Sequence, residues 1–399
     1  MTRSRRSCPR RRAPRTVARS PRSRGGGSSV GVDGSLRDRF EHGLAAPICL
    51  TWELTYACNL ACVHCLSSSG RRDPRELTTE EATTLIDEIA AMQVFYINVG
   101  GGEPTIRRDF YDLVEHAVSR RVGVKFSTNG TRIDAPAARR LAAMDYLDVQ
   151  VSLDGADEAT NDRVRGAGSY AAARRAMDEL AAAGFGPFKV SVVVTRDNVA
   201  QLDDLAAIAA HYGAQLRLTR LRPSGRGADV WGALHPTRSQ GRELYAWLLE
   251  RPEVLTGDSF FHLSALGAPL EGLNLCGAGR VVCLIDPVGD VYACPFVIHD
   301  EFLAGNVRDA GFATLWRSSE LFARLRAPGG AGACASCGAY DACRGGCMAA
   351  KFFTGLELSD PDPECVFGHG ETALARVHAR APRAGTDHSR RVSVTLSSR

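Results

Sequence analysis

Three thiols stand within eight residues in Cys58-Asn-Leu-Ala-Cys62-Val-His-Cys65, directly after the apolar run Ile48-Cys49-Leu50-Thr51-Trp52-Glu53-Leu54. Cysteine sulfur holds iron–sulfur clusters, and gaps of three and two residues let three thiolates converge on one of them. A cluster of four irons would keep one iron without a protein ligand, and chemistry could happen there. Two other uses of the same thiols stay open on spacing alone. One is a zinc site completed by a neighbour such as His64. The other is a redox dithiol made by Cys62 and Cys65.

A second array comprises Cys276, Cys283, Cys294, Cys334, Cys337, Cys343, Cys347 and Cys365. Pairs such as Cys334-Ala-Ser-Cys337 are common zinc ligands. Eight thiolates could equally complete two iron–sulfur clusters, and counting does not separate the two. Between the arrays lie short polar and glycine-rich stretches. Gly100-Gly101-Gly102-Glu103-Pro104 could let backbone approach a ligand closely, with Pro104 stiffening the exit. Ser127-Thr128-Asn129-Gly130, Ser152-Leu153-Asp154-Gly155 and Asn161-Asp162-Arg163-Val164-Arg165-Gly166 could each be a simple turn.

The elements that must position these residues alternate. Continuous apolar runs predict strands at 49–54, 94–99, 123–127, 147–152, 188–194 and 215–220, as buried parallel strands require. Helices are predicted at 79–92, where Thr78 and Glu81 fit a capping box, and near 109–121, 135–144, 169–183, 198–212 and 238–250. Six successive strand–helix units make this an α/β chain with a parallel sheet and outer helices; periodicity does not say whether the sheet closes. The polar stretches all fall at the carboxyl ends of strands, where ligands of such sheets bind. Pro223, Gly225, Gly227 and Pro236 predict a loop over residues 222–236. A linker at 251–275 precedes the Cys-rich part, which opens with a hairpin of 281–285 and 290–293 turning at Pro287-Val288-Gly289.

Residues 1–35 carry Arg, Ser, Pro and Gly with little to bury and are expected to be a disordered basic arm; residues 371–399 are expected to be a disordered tail. A nucleic-acid arm and a start assigned too far upstream both fit the first segment. A short amphipathic lead-in at 36–44 follows it. The formal charge is +4, yet residues 1–25 hold ten arginines and no acid, so the remainder is six charges negative. The charge therefore implies no nucleic-acid partner for the folded body. No apolar run reaches the roughly 20 residues of a membrane helix. Thirteen cysteines without a secretory signal favour metal over disulfides and a cytoplasmic setting; Cys8 and Cys49 are left without a use.

In combination these parts carry a resemblance. The Cys58–Cys62–Cys65 spacing followed by Gly-Gly-Glu-Pro at the next strand end resembles the radical S-adenosylmethionine (SAM) enzymes. Cys276-x12-Gly289-x4-Cys294, Cys334-x2-Cys337-x5-Cys343-x3-Cys347 and Cys365 resemble the SPASM extension that follows the barrel in many peptide-modifying members. Leu50-Thr-Trp-Glu-Leu-Thr-Tyr-Ala-Cys58, Val94-Phe-Tyr-Ile-Asn-Val-Gly100, Leu218-Thr-Arg-Leu-Arg-Pro-Ser-Gly-Arg-Gly-Ala-Asp229, Leu275-Cys-Gly-Ala-Gly-Arg-Val-Val-Cys283 and Cys343-Arg-Gly-Gly-Cys-Met-Ala-Ala-Lys-Phe-Phe353 are similar to the mycofactocin radical SAM maturases. The likeness runs over about residues 37–370. His64 departs from the aromatic residue usual before the third cysteine, and is expected to pack near the adenine or cluster rather than ligate iron.

The resemblance implies a partial (β/α)6 barrel over 36–250 and a SPASM domain over 276–370, with SAM and three [4Fe–4S] clusters. Cys58, Cys62 and Cys65 would hold the SAM-binding cluster. Cys276, Cys283, Cys294 and Cys347 would hold one auxiliary cluster, and Cys334, Cys337, Cys343 and Cys365 the other. Gly101, Gly102, Glu103 and Pro104 would seat the SAM amino group; Asn129, Ser152, Asp154 and Arg165 would contact its ribose and carboxylate. The implied reaction is oxidative decarboxylation of the terminal tyrosine of a precursor peptide ending in Val-Tyr, then carbon–carbon bonding of the tyramine unit to the valine, through a 5′-deoxyadenosyl radical. The implied partners are that peptide, a flavodoxin- or ferredoxin-type reductant, and a separate small peptide-binding chaperone. A chaperone is expected because too little chain precedes the first strand for a recognition domain. The rivals are a formylglycine- or thioether-forming maturase and a non-catalytic zinc protein.

Overall fold

The computed structural model describes residues 43–256, 260–268, 270, 276–327 and 330–378. Cys8, the basic arm and most of the 36–44 lead-in lie outside them.

Six strands form as the apolar runs predict: β1 (Cys49–Thr55), β2 (Tyr96–Gly101), β3 (Gly123–Thr128), β4 (Leu147–Ser152), β5 (Lys189–Val194) and β6 (Gln215–Arg220). Every neighbouring pair is parallel, in the order β6-β5-β4-β3-β2-β1. The strand period sorts their side chains. In β1, Leu50, Trp52 and Leu54 join one apolar core with Ala82, Leu85, Ile86 and Ile89 of helix α1 (Thr79–Ala91). Thr51 and Glu53, one residue out of phase, line a cavity with Asn98, Ser127, Ser152 and Ser191. The sheet interior is therefore polar, as a ligand chamber must be.

The predicted capping box starts α1: Glu81 N–H donates to Thr78 Oγ1 and Thr78 N–H to Glu81 Oε2. Helices α2 (Phe110–Ser119), α3 (Ala135–Ala142), α4 (Glu158–Arg165), α5 (Ser169–Ala182) and α6 (Leu202–His211) follow. Helix α4 replaces the turn suggested by the polar run 161–166. Asp157 caps it, accepting from Thr160 N–H, and it buries only Asn161 and Val164, too few for an apolar period. The expected loop at 222–236 likewise contains α7 (Gly227–Leu234), ahead of the predicted α8 (Arg238–Leu249).

The second half departs from a separate, linked domain. Its hairpin strands β7 (Val282–Ile285) and β8 (Asp290–Tyr292) form as predicted, and β9 (Leu303–Asn306) adds to them. However, β7 pairs in parallel with β1, Cys49 opposite Val282 and Trp52 opposite Ile285. One nine-stranded sheet results, and β1 never meets β6, so the barrel stays open. The described residues of the expected linker are also packed: Val254, Phe260, Leu263 and Leu270 are buried, and Leu255 exchanges backbone bonds with Leu216 and Leu218 along the β6 edge. Covering that edge removes a row of unpaired backbone groups. A helix at His369–His378 occupies the start of the segment expected to be a tail from 371.

The core under β3 rests on Phe126, fully buried, with its ring 5.0 Å from that of Phe110 and edge-on to it. Phe126→Ala should lower the unfolding free energy by about 3–5 kcal/mol, read from the urea midpoint at constant slope.

Candidate cluster and cofactor site

The cysteine loop leaves β1 where the β1–β2 register shifts, between Glu53 and Thr55. Its backbone is then tied on two sides. Cys58 N–H donates to Gly70 O (3.0 Å) and Gly70 N–H to Tyr56 O (2.8 Å), while Gly102 N–H reaches Thr55 O (2.7 Å) and Glu103 N–H reaches Ala57 O (2.8 Å). A Cβ on Gly102 would sit 1.9 Å from Ala57 O, and Gly101 has φ +104°. Both glycines thus admit the cysteine loop's own backbone, a closer neighbour than the ligand anticipated from sequence. From the far side Arg226 donates through Nε to Cys62 O and through Nη1 to Ser69 O, both at 2.9 Å. Gly225 lies flat on Leu66, where a Cβ would come within 2.5 Å of its carbonyl. The 222–236 stretch therefore clamps the cysteine loop as well as bordering the barrel mouth.

Cys58, Cys62 and Cys65 line a cavity of about 280 Å³. Gly101, Gly102, Glu103, Asn129, Ser152 and Arg165 line it too; Pro104 and Asp154 do not. Glu103 is buried and anchored by the β3 end: Oε2 accepts from Asn129 N–H (2.7 Å), and Oε1 from Thr128 Oγ1 (2.9 Å) and Thr105 Oγ1. Burial raises its pKa against those bonds. Asn129 Nδ2 donates to Asn59 Oδ1 (2.9 Å), tying a strand end to the cysteine loop.

Asp154 is a support rather than a wall of the cavity. Its Oδ2 lies 2.7 Å from Arg165 Nε and 2.9 Å from His64 Nε2, and Oδ1 accepts from Val193 N–H (2.7 Å). Burial alone would raise its pKa; Arg165 and His64 outweigh that and hold the carboxyl below the usual carboxylate range. One buried carboxylate thereby orients the guanidinium and imidazole that face the cavity. His64 lines the cavity and is anchored by this pair with Asp154.

The opposite wall is cationic and was only partly visible in sequence. Arg217, Arg220 and Arg222 line it with Pro295 and Phe296 from beyond Cys294. Arg222 lies over the Phe296 ring, 4.0 Å from its centroid. Arg220 is gripped bidentately by Asp362, Nη1–Oδ2 2.9 Å and Nη2–Oδ1 2.6 Å, and also pairs with Glu364. Asp362 Oδ2 accepts from Cys347 N–H (2.8 Å) and Asp362 O from Cys365 N–H (2.9 Å). The cavity is thus wired by direct bonds to the backbone of both auxiliary cysteine sets.

Cys334, Cys337, Cys343 and Cys365 surround one small void of about 20 Å³. Cys294 has Cys276 and Cys347 as electrostatic neighbours, and Cys283 neighbours Cys294. The resemblance assigns these eight thiols to two sets of four. Burial pushes the Cys58, Cys62, Cys276, Cys283 and Cys294 thiols up, so a bound metal would have to supply the charge that makes them thiolates. Among the described residues no three His, Cys, Asp or Glu side chains converge closely enough to hold a single metal ion. A polar nucleoside–amino acid fits the main cavity: Glu53 Oε2, His64 Nδ1 and Asn98 Oδ1, on lining residues, are buried without a hydrogen-bond partner.

Comparison with known proteins agrees with this geometry. Residues 52–208 match the Radical SAM superfamily and residues 276–345 an iron-sulfur cluster-binding domain (SPASM). The chain is 67% identical over 359 residues to the mycofactocin maturase MftC of Mycolicibacterium smegmatis, covering 89% of this chain and 91% of that one. It is 65% identical over 373 residues to the Mycobacterium tuberculosis (strain H37Rv) mycofactocin maturase MftC, covering 91% and 95%. Among solved structures, Streptococcus suis SuiB bound to S-adenosylmethionine superposes with a TM-score of 0.65 at 18% identity, over 82% of this chain and 78% of that one. Native anSMEcpe with bound AdoMet gives 0.63 at 17%, over 84% and 100%; both share the fold.

Asp154→Asn keeps the shape and removes the charge that offsets Arg165. It should cost about 3–5 kcal/mol, as an uncompensated buried cation does. Because the folded carboxyl titrates below its unfolded value of about 3.9, its contribution is complete above that pH and is lost as pH falls through the folded value. Urea unfolding of the apo chain should therefore show a large deficit for the variant at pH 7, narrowing below pH ~4.

Proposed function

The chain belongs to the mycofactocin maturases of the radical SAM superfamily, and from that premise we propose that it decarboxylates and cross-links the Val-Tyr end of a precursor peptide. The family acts as a peptide maturase with SAM and iron–sulfur clusters. Our reading adds the steps: oxidative decarboxylation of the terminal tyrosine, then a carbon–carbon bond from the tyramine unit to the preceding valine. The observation that carries it is the cavity itself, with Cys58, Cys62 and Cys65 on one side and Pro295 and Phe296, just past Cys294, on the other. A peptide held there would lie between a radical source and an electron acceptor.

In this reading Cys58, Cys62 and Cys65 hold a SAM-binding cluster. Cys276, Cys283, Cys294 and Cys347 hold one auxiliary cluster, and Cys334, Cys337, Cys343 and Cys365 the other, making three [4Fe–4S] clusters. When bound, cluster and SAM supply a 5′-deoxyadenosyl radical that takes hydrogen from the peptide. The chain's own residues bind, orient and exclude water. Glu103 and Asn129 fix the loop that receives SAM; Ser152 and Arg165 border its ribose and carboxylate, with Arg165 held by Asp154. Arg217 and Arg222 offer the departing carboxylate a cationic counterpart in a cavity where charge is poorly solvated. Residues 36–250 act as the catalytic barrel and 276–370 as the cluster domain. A separate small chaperone presents the peptide, a flavodoxin- or ferredoxin-type protein supplies electrons, and the enzyme works in the cytoplasm with neither nucleic acid nor membrane as partner.

The test is anaerobic incubation of the holoenzyme with a Val-Tyr-ended precursor, its chaperone, SAM and reductant. The peptide should first lose carbon dioxide and two hydrogens, and then change chromatographic position at constant mass. Cys58→Ala should abolish both products and lower bound iron by about one third, four irons of twelve. An unchanged peptide beside accumulating 5′-deoxyadenosine contradicts the assignment.

A further inference from the structure

At the amino ends of the strands, away from the cysteine loop, a second cavity of about 780 Å³ opens. Phe95 and Tyr146 stand on its rim at 76% and 71% exposure, the most exposed large apolar side chains among the described residues. Gln93, Arg121 and Tyr146, at three successive helix-to-strand turns around it, have φ of 59°, 62° and 58°. Glycine is the usual residue in that conformation, and other residues there are strained by about 1 kcal/mol or more. The fold accepts the strain at all three turns, and the side chains so kept point onto one rim. No packing need accounts for them, since all three are exposed.

The groove is basic in a chain whose body is net negative. Arg120, Arg121, Lys125 and Lys189 line it against Asp148. Lys189 pairs with Asp148 and Arg120 with Asp87, while Arg121 forms no ion pair among the described residues. Lys125 Nζ lies 5.8 Å from the centre of the Tyr96 ring at its floor. Tyr96 pairs with Cys49 at the amino end of β1, and Cys49 in turn with Val282 of β7, the residue before Cys283. The groove therefore lies at the same strand ends as one auxiliary thiol.

We propose that the groove docks a small, acidic one-electron carrier protein, which exchanges electrons with the auxiliary cluster of Cys276, Cys283, Cys294 and Cys347. This rests on the cluster assignment above. One electron leaves the cluster as one enters the carrier, or the reverse, and no bond is made. An aromatic rim within a basic border suits such a partner: the charges steer it, and Phe95 and Tyr146 supply the apolar contact.

The experiment measures the affinity of a bacterial flavodoxin for the full-chain holoenzyme. The variant combines Arg121→Glu with Tyr146→Gly, the glycine relieving backbone strain so that folding is preserved; Arg324→Glu, at an exposed position of the helix Glu320–Arg326, controls for net charge. The double variant should bind about tenfold more weakly than wild type, and wild-type affinity should fall with added salt. In a Cys58→Ala background, flavodoxin-driven absorbance change of the remaining clusters should slow by the same factor, while dithionite acts at an unchanged rate. Affinity within about twofold of wild type, a loss equal to that of Arg324→Glu, or no binding by wild type overturns the docking site. If Cys58→Ala protein carries no iron, the cluster reading fails instead, and the affinity comparison still decides the docking face.

Discussion

The parallel pairing of β1 with β7 is the constraint on which the rest of the structure depends. A strand that ends in the cysteine loop is hydrogen-bonded to a strand running the same way into the Cys-rich half. Both carboxyl ends therefore point toward one chamber, and residues 230 positions apart meet there: Tyr56 Oη donates to Asp286 Oδ2 at 2.6 Å. Asp286 Oδ1 in turn accepts from Val288 and Asp290 N–H and shapes the β7–β8 turn. Glu53 lies against this junction; burial, with Asp286 nearby, pushes it up to about 8, and burial pushes Asp286 up to about 7. The junction between the halves is thus a pair of carboxyl groups that burial favours in neutral form, next to a chamber whose opposite wall is cationic.

Two buried ion pairs turn that chamber into a defined site. Asp154 orients Arg165 and His64; Asp362 orients Arg220 while receiving the backbone N–H of Cys347. Buried pairs of this kind add little net stability compared with apolar packing, but breaking one leaves a charge stranded. Their use here is placement. They fix cationic groups at set positions around a polar cavity, and one of them joins the cavity to the cysteine segments 334–347 and 365.

Much of this was legible in the sequence. Buried parallel strands must be continuous apolar runs, so all six barrel strands appeared within a residue or two of their true ends, and the Thr78–Glu81 box marked the start of α1. The cysteine spacings pointed to metal chemistry, but which auxiliary thiols belong together came from the family resemblance and not from the spacing. Helices α4 and α7 were hidden because they bury too few apolar residues to show a 3.6-residue period. Asp154 was expected in the SAM wall from the family resemblance, its stretch alone reading as a turn; that Arg165 arrives beside it from α4 depends on tertiary packing. Arg226 as a clamp and the β1–β7 pairing were invisible for the same reason: each joins segments more than 150 residues apart, and no local pattern encodes such a meeting. The 251–275 segment reads as a linker from its glycines, yet its few apolar residues suffice to cover the β6 edge.

The account makes Cys58, Cys62 and Cys65 the one thiol set that leaves an iron open, and gives each auxiliary cluster four thiolates. Electron paramagnetic resonance of the reduced, fully loaded enzyme, with and without SAM, tests this most directly. The account predicts that SAM alters the signal of one cluster, that this signal is absent in the Cys58→Ala variant, and that the other two are unmoved. A SAM-induced change that survives in Cys58→Ala, or one in a signal lost on replacing Cys347, would contradict it.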